Sequence, residues 1–332
     1  MPIRLSIDGA GTARAVEMAT RPLGPRSVRL AVDAVGVCGT DLLALAHGAD
    51  PQATLGHEIV ATVTETSGDL PWTRGSRVMV RPTQPCHDCW YCTHGLVAQC
   101  DQASATTLST GLPGGFADEL VIDDPDPDRL VAVADGVPVA DALWAEPLAV
   151  ALRIVDRGGQ GRTPGRCIVV GSGPLGLCTV AAATAAGWDC DVLEPQTSRR
   201  EAALRAGAVR ALATAASDCA RSSVVLVTAG SPAAVALARE VVLPGGTVVM
   251  AGLGAASVPG SRLDHVVRGS LAYAPPQFAS AAALVNSGRV QLGYAVTHRR
   301  GLREAGDLLE LSRQPDTIKI AITPGAGGAS TG

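Results

Sequence analysis

Beyond Pro138 the sequence alternates apolar runs with helical patterns at a spacing that few architectures accept. An apolar helix over 140–156 is followed by strands over 167–171, 190–194, 224–228 and 247–251. Helices over 174–186, 198–206 and 232–242 separate them. A helix between consecutive strands carries the chain back to the same end of the sheet, so the strands run parallel and the helices cover both faces. The expected fold class is therefore α/β, with a doubly wound parallel sheet in this half. The first half reads differently. Residues 27–36, 58–66 and 76–81 form short strands broken by Gly and Pro, with little helical periodicity before about residue 139. A closing helix over 302–311 and a strand over 317–323 return to this β-rich domain, and 324–332 forms a loose tail. The expected organisation is a β-rich domain over 1–146, completed by 292–332, and a nucleotide-binding domain over 147–291.

With 332 residues, the chain is long enough for two cores. Hydrophobic residues at 47% against 17% charged exclude a disordered chain. A net charge of -4 without a basic stripe excludes nucleic acid as the expected partner. No apolar stretch has signal-peptide or membrane-helix length, so a cytoplasmic protein with no membrane partner is expected. Nine cysteines in that compartment point to metal, catalysis or burial and not to disulfides. Cys167, Cys178, Cys190 and Cys219 fall in or beside the α/β elements and are expected to be buried. A single lysine, Lys319, stands against many arginines and carries no mechanistic signal at this level.

The strand ending at Val170 runs into Gly171-Ser172-Gly173-Pro174-Leu175-Gly176, which opens a helix. This is the context a GxGxxG turn needs. Gly171 permits the tight turn, Gly173 lets the backbone approach a pyrophosphate, and Gly176 allows close helix–strand packing. Glu194 ends the next strand, eighteen residues after Gly176. A carboxylate there can accept from ribose hydroxyls and repels a 2′-phosphate, which favours NAD over NADP. Arg199 and Arg200 weaken that preference, since an arginine could receive the phosphate.

Cys86, Cys89, Cys92 and Cys100 give C-x2-C-x2-C-x7-C. Four thiolates on one short loop can close a tetrahedron around zinc without an open position, so the site is expected to be structural. An iron–sulfur cluster is the alternative metal. His87 and His94 are expected to be exposed loop residues. A second constellation is more scattered: Cys38-Gly39-Thr40-Asp41, Gly56-His57-Glu58 and Glu146-Pro147-Leu148. Thiolate, imidazole and carboxylate together suit a zinc site that keeps one position free.

Taken jointly, the motifs resemble the medium-chain dehydrogenase/reductase superfamily, in its zinc-containing alcohol and polyol dehydrogenase branch. The resemblance runs in order through GVCGTD (36–41), GHE (56–58), the cysteine loop (86–100), EPLAVAL (146–152), GSGPLG (171–176), Glu194, LPGGTVVMAG (243–252) and IKIAITP (318–324). It implies a GroES-like catalytic domain joined to a Rossmann domain, two zinc ions per chain, and NAD. It further implies Cys38 and His57 as catalytic zinc ligands, and Glu58 as a ligand or a group just behind one. Glu146 would supply a third or fourth ligand. Thr40 would receive the substrate's proton while the alcohol carbon gives hydride to the nicotinamide. Gly171, Gly173, Pro174, Leu175, Gly176, Glu194 and Arg199 would hold the cofactor, with Arg268 in a loop near it. Relatives often carry a proton-relaying His where this chain has Leu43; His47 is the candidate substitute.

Four Trp, three Tyr and two Phe make a large aromatic-lined pocket hard to build. A polyol, cyclitol or amino-sugar-like secondary alcohol is the expected small-molecule substrate. The segments 146–152 and 194–200 particularly resemble dehydrogenases that oxidise 2-deoxy-scyllo-inosamine in aminoglycoside biosynthesis. Threonine or a simple secondary alcohol, a non-redox epimerase-like reaction with tightly held NAD, and a non-catalytic zinc scaffold remain alternatives. The resemblance also implies a homodimer or homotetramer, paired through an edge strand near 271–274.

Overall fold

The structure is a computed structural model that describes residues 1–7, 12–47, 54–214, 221–251 and 264–325. The chain divides into two units. One takes Met1–Glu146, Ala274–Asn286 and Val296–Gly332; the other takes Pro147–Tyr273 and Ser287–Ala295. The helix Pro275–Asn286 joins the first unit through a two-way amide contact. Asn286 donates to the Ala132 carbonyl at 2.9 Å and accepts from the Ala134 N–H at 2.9 Å.

The first unit is built on a seven-stranded sheet around Ser27–Gly36. That strand pairs antiparallel with Glu58–Ser67 on one side. On the other it pairs with Glu119–Asp123 near its start and with Lys319–Ile322 near its end. Val28, Leu30, Val32 and Ala34 alternate into the core, as a period of two requires of a strand with one buried face. Two register pairs place the site: Gly36 lies opposite Glu58 on one neighbour and opposite Ala321 on the other. The closing strand therefore returns to this unit. The helix Gly39–His47, directly after the central strand, was hidden in the sequence by its two-turn length. The closing segment is a 3-10 turn, Leu302–Asp307, running into the helix Leu308–Ser312.

The second unit holds a parallel six-stranded sheet in the order Arg210–Leu212, Asp189–Leu193, Arg166–Val170, Ser222–Val227, Val242–Ala251, Val266–Ser270. Numbered along the unit, this is 3-2-1-4-5-6, the doubly wound order that reverses direction beside the first strand. Gly171 sits at that reversal. The edge is formed by Val266–Ser270, just before the segment expected from the sequence, and leaves Val266, Val267 and Leu271 exposed. Cys167, Cys178 and Cys190 are buried, and Cys219 lies outside the described residues. No helix among the described residues is long and apolar enough to cross a membrane.

Candidate active site and metal centres

Cys38 ends the loop after Ser27–Gly36, His57 immediately precedes the neighbouring strand Glu58–Ser67 and Glu58 opens it, so sheet pairing brings the two motifs together. One ligand atom each from Cys38, His57 and Glu58 lies within 4.8 Å of the others. Three donors of these types leave a fourth tetrahedral position for a small molecule. Thr40 Oγ1 is 3.7 Å from Cys38 Sγ. Glu146, nearly buried in the first turn of Ala145–Gly159, stays outside that three-residue group, although its charge reaches His57.

Asp41 pins the two ligand-bearing segments to each other. Its carboxylate, 1% exposed, accepts the Cys38 N–H at 2.9 Å through one oxygen and the Gly56 N–H at 3.1 Å through the other. Burial dominates its titration and raises its pKa, against the lowering effect of His57 and the two N–H donors. Burial works to lower the pKa of His57. The Asp41 carboxylate 3.7 Å away, Cys38 and Glu146 together outweigh it and hold the imidazole well above its ordinary range. His57 Nδ1 also lies 3.1 Å from Ser109 Oγ. With Nδ1 facing Ser109 and Asp41, Nε2 is the nitrogen left for a metal.

Glu58 and Lys319 form an ion pair sealed from solvent, at 2% and 0% side-chain exposure. The register explains how they meet. Glu58, Gly36 and Ala321 are cross-strand neighbours, and Lys319 lies two residues before Ala321 on the same face. The pair passes over Gly36, where a Cβ would collide with Glu58 Oε2 and approach Lys319 Cε to 2.8 Å. Lys319 Nζ also sits 5.4 Å from the ring of the fully buried Trp144. The lone lysine of the chain thus neutralises a candidate metal ligand. Its role was invisible in the sequence, as were those of Asp41, Gly36 and Ser109; Gly36 and Asp41 showed there only as the ends of the GVCGTD motif.

The four cysteines of the lobe gather with every ligand sulfur within 4.8 Å of the others. Cys86 Sγ lies 3.5 Å from Cys100 Sγ and 3.9 Å from Cys92 Sγ. A tetrahedral zinc with sulfur bonds of about 2.3 Å sets its sulfurs about 3.8 Å apart, so the cluster has the right dimensions. Main-chain N–H groups of Asp101 and Cys92 pull the Cys89 thiol down to about 6, while the hydrogen bond that the Cys86 thiol donates to the Asp88 carboxylate pushes Cys86 up to about 12. His87 and His94 are exposed and stand apart from the sulfurs.

In the second unit Gly171 has φ +90°, and a Cβ there would press on Ala229 at 2.8 Å. A Cβ on Gly176 would collide with the Gly171 carbonyl. At Gly173, by contrast, a Cβ would meet only Arg199 Nη1 at 3.9 Å, so the turn is open where a pyrophosphate would approach. Pro174 is the first residue of the helix that follows. Glu194, 4% exposed, accepts N–H groups from Ser172 at 2.9 Å and Gln196 at 3.0 Å. Ser172 Oγ donates to the Arg199 carbonyl at 3.1 Å. The glycine turn and the loop after Asp189–Leu193 are thereby locked together. Arg200 spends its guanidinium on the Glu194 and Pro195 carbonyls and on Thr197 Oγ1. Arg268 donates to the Arg157 carbonyl at 2.6 Å.

Residues 24–134 match the alcohol dehydrogenase GroES-like domain family. Among characterised proteins, 2-dehydro-3-deoxy-L-galactonate 5-dehydrogenase of Pseudoalteromonas atlantica is 34% identical over 180 residues. That match covers 52% of this chain and 51% of the relative, so it spans about half the relative's length. Sorbitol dehydrogenase of Bombyx mori is 25% identical over 95% of this chain and 97% of its own. The crystal structure of Escherichia coli L-idonate 5-dehydrogenase superposes with a TM-score of 0.87 at 19% identity, covering 97% of this chain and 98% of that one. The GroES-like unit followed by the parallel Rossmann sheet is the medium-chain dehydrogenase/reductase architecture, and the donor sets and the glycine turn suit two zinc ions and NAD.

Proposed function

We propose that this protein, with its medium-chain dehydrogenase/reductase fold, is a zinc-dependent oxidoreductase that moves hydride from a secondary alcohol of a polyol, cyclitol or amino-sugar-like substrate to NAD. The observation that carries this is the meeting of Cys38, His57 and Glu58 within 4.8 Å, with the Thr40 hydroxyl beside Cys38. Those three residues would hold a catalytic zinc, and Cys86, Cys89, Cys92 and Cys100 a structural one. A zinc ion there supplies Lewis acidity that favours deprotonation of a substrate hydroxyl, and bound NAD accepts the hydride.

The chain's own residues do the rest. The Thr40 hydroxyl would take the substrate's hydroxyl proton as it hands its own on to water, so it ends the step neutral. Glu146, whose charge reaches His57, would hydrogen-bond a polar substrate or a water held by it. Leu43 cannot relay the proton onward. His47, on the same helical face one turn later, has Nδ1 2.9 Å from the Leu43 carbonyl. A carbonyl only accepts, so Nδ1 carries the hydrogen and Nε2 is the free base for proton exit. The Glu194 carboxylate repels a 2′-phosphate and the Arg200 guanidinium is spent on carbonyls, which supports NAD, while Arg199 keeps its guanidinium beside the glycine turn. The names of the relatives, 2-dehydro-3-deoxy-L-galactonate 5-dehydrogenase and sorbitol dehydrogenase, support a polyhydroxylated substrate. The 2-deoxy-scyllo-inosamine branch of aminoglycoside biosynthesis is the finer assignment. The free cysteines suit a cytoplasmic protein, and the exposed apolar edge at Val266–Ser270 suits a homo-oligomer.

A substrate panel read by NADH absorbance tests this directly. Turnover of sorbitol, L-idonate, scyllo-inositol or 2-deoxy-scyllo-inosamine is expected. Turnover confined to threonine or 2-butanol would overturn the substrate class. Bound cofactor that never exchanges would overturn the redox assignment.

A further inference from the structure

We infer that Ser109 is a positioning residue for His57, and that through it the cysteine lobe sets the geometry of the catalytic metal centre. The inference rests on the catalytic-zinc assignment above. Ser109 Oγ is the nearer partner of His57 Nδ1, at 3.1 Å against 3.7 Å for Asp41 Oδ1. Each Asp41 oxygen already accepts a main-chain N–H. When Nε2 faces a metal, Nδ1 keeps its hydrogen and needs an acceptor that fixes the ring. The Ser109 hydroxyl is placed to be that acceptor.

Ser109 adopts φ 69°, a left-handed conformation that costs energy for a residue with a Cβ and persists only where the surroundings impose it. Those surroundings belong to the lobe. Ser109 follows Cys100 by nine residues, and the stretch between is tied down almost residue by residue. Ala103 N–H donates to the Cys100 carbonyl at 3.0 Å. Thr106 Oγ1 donates to the Gln84 carbonyl at 2.6 Å, and Thr107 Oγ1 to Thr83 Oγ1 at 3.1 Å. Leu108 N–H donates to the Pro82 carbonyl, and its side chain is buried at 1% exposure. The chain leaving the cysteines is thus clamped to residues 82–84, which lead into Cys86. The Ser109 N–H then donates to the Leu112 carbonyl at 2.8 Å and closes the turn. Loosening the lobe releases this clamp, and with it the hydroxyl that orients His57.

The test uses the full-length protein and its Ser109→Gly, Ser109→Asn and Cys89→Ser variants. Metal affinity is measured by competition with a chromophoric chelator, and the absorption spectrum is recorded with Co2+ at the catalytic site. Glycine keeps the left-handed backbone and removes only the hydroxyl, so Ser109→Gly is expected to fold and to retain the lobe's metal. Its catalytic-site affinity is expected to fall roughly 10–100-fold, with an altered cobalt spectrum. Asparagine tolerates the same backbone and carries an acceptor, so Ser109→Asn is expected to recover part of the loss. Cys89→Ser is expected to weaken the catalytic site similarly, with Ser109→Gly adding less on that background than on the wild type. Wild-type affinity and spectrum in Ser109→Gly would overturn this inference alone. A wild-type protein with no Cys38-dependent metal would overturn the assignment beneath it. If Cys89→Ser fails to fold, the Gly and Asn variants still decide the role of Ser109.

Discussion

Replacing Lys319 with Met should strand the Glu58 carboxylate in a site where it is 2% exposed. Methionine keeps most of the volume and the contact with Trp144, so the change removes charge more than packing. Taking one partner from a buried ion pair costs about 3–5 kcal/mol, because the other charge keeps its desolvation penalty and loses its compensation. Neither side chain is exposed enough for water to relieve this. Bound zinc gives Glu58 a second positive partner, so the loss should be smaller in metal-loaded protein. The assay is urea unfolding, with and without a chelator, in a Trp188→Phe background. Emission then reports Trp72, Trp90 and Trp144, all in the first unit. Lys319→Met is expected to lose about 3–5 kcal/mol when stripped of zinc and clearly less when loaded. Glu58→Gln combined with Lys319→Met should cost less than the sum of the two single changes. Gly36→Ala should resemble Lys319→Met, since the added Cβ takes the space the carboxylate crosses. A loss below about 1 kcal/mol in the stripped Lys319→Met protein, the size of a surface ion pair, would refute the pair as a structural element of the site.

Three further outcomes follow from the geometry. Cys89→Ser should lose the structural zinc and lower the stability of the lobe, and weaken the catalytic site only by way of the loosened lobe, as seen by metal analysis alongside proteolysis of 86–112; full stability with unchanged metal would contradict a structural zinc. His57 has a raised pKa in the metal-free protein, so protons compete with metal, and below that raised value its proton alone should add up to about tenfold per pH unit to the climb of apparent zinc affinity, beyond the proton that the Cys38 thiol must also release. Calorimetric titrations from pH 5.5 to 8.5 check this, and a flat profile would contradict it. Glu194→Gln replaces one carboxylate oxygen by N–H2, so one of the two main-chain N–H groups that now donate to Glu194 loses its acceptor, and the KM for NAD should rise about tenfold, the effect of losing about 1.4 kcal/mol. An unchanged KM would show that the carboxylate does not hold the cofactor loop.

The doubly wound sheet was legible because apolar periodicity reports strands and helices wherever both faces of a sheet are buried. Arg166–Val170 and Asp189–Leu193 fell within a residue of their expected bounds. The gathering of Cys86, Cys89, Cys92 and Cys100 was legible because short spacing within one loop leaves the sulfurs few places to go. The carboxylates at 58 and 146 were less so, since sequence order cannot tell a ligand from a neighbour. The structure groups Glu58 with Cys38 and His57 and leaves Glu146 just outside. Lys319 was illegible for a plainer reason: it lies 261 positions from Glu58, and only the antiparallel return of Lys319–Ile322 beside Gly36 brings them together. Ser109 meets His57 from a left-handed turn that no residue pattern around it announced. The helix Gly39–His47 was missed because two turns of apolar residues between strands show too little period to detect.

Zinc content measured together with turnover tests the central claim most directly. Wild-type protein should hold two zinc ions per chain and reduce NAD with a polyol or cyclitol. Cys38→Ala should hold one, keep its fold and lose turnover. One zinc per chain in the wild type, unchanged in Cys38→Ala, would contradict a catalytic metal at Cys38, His57 and Glu58.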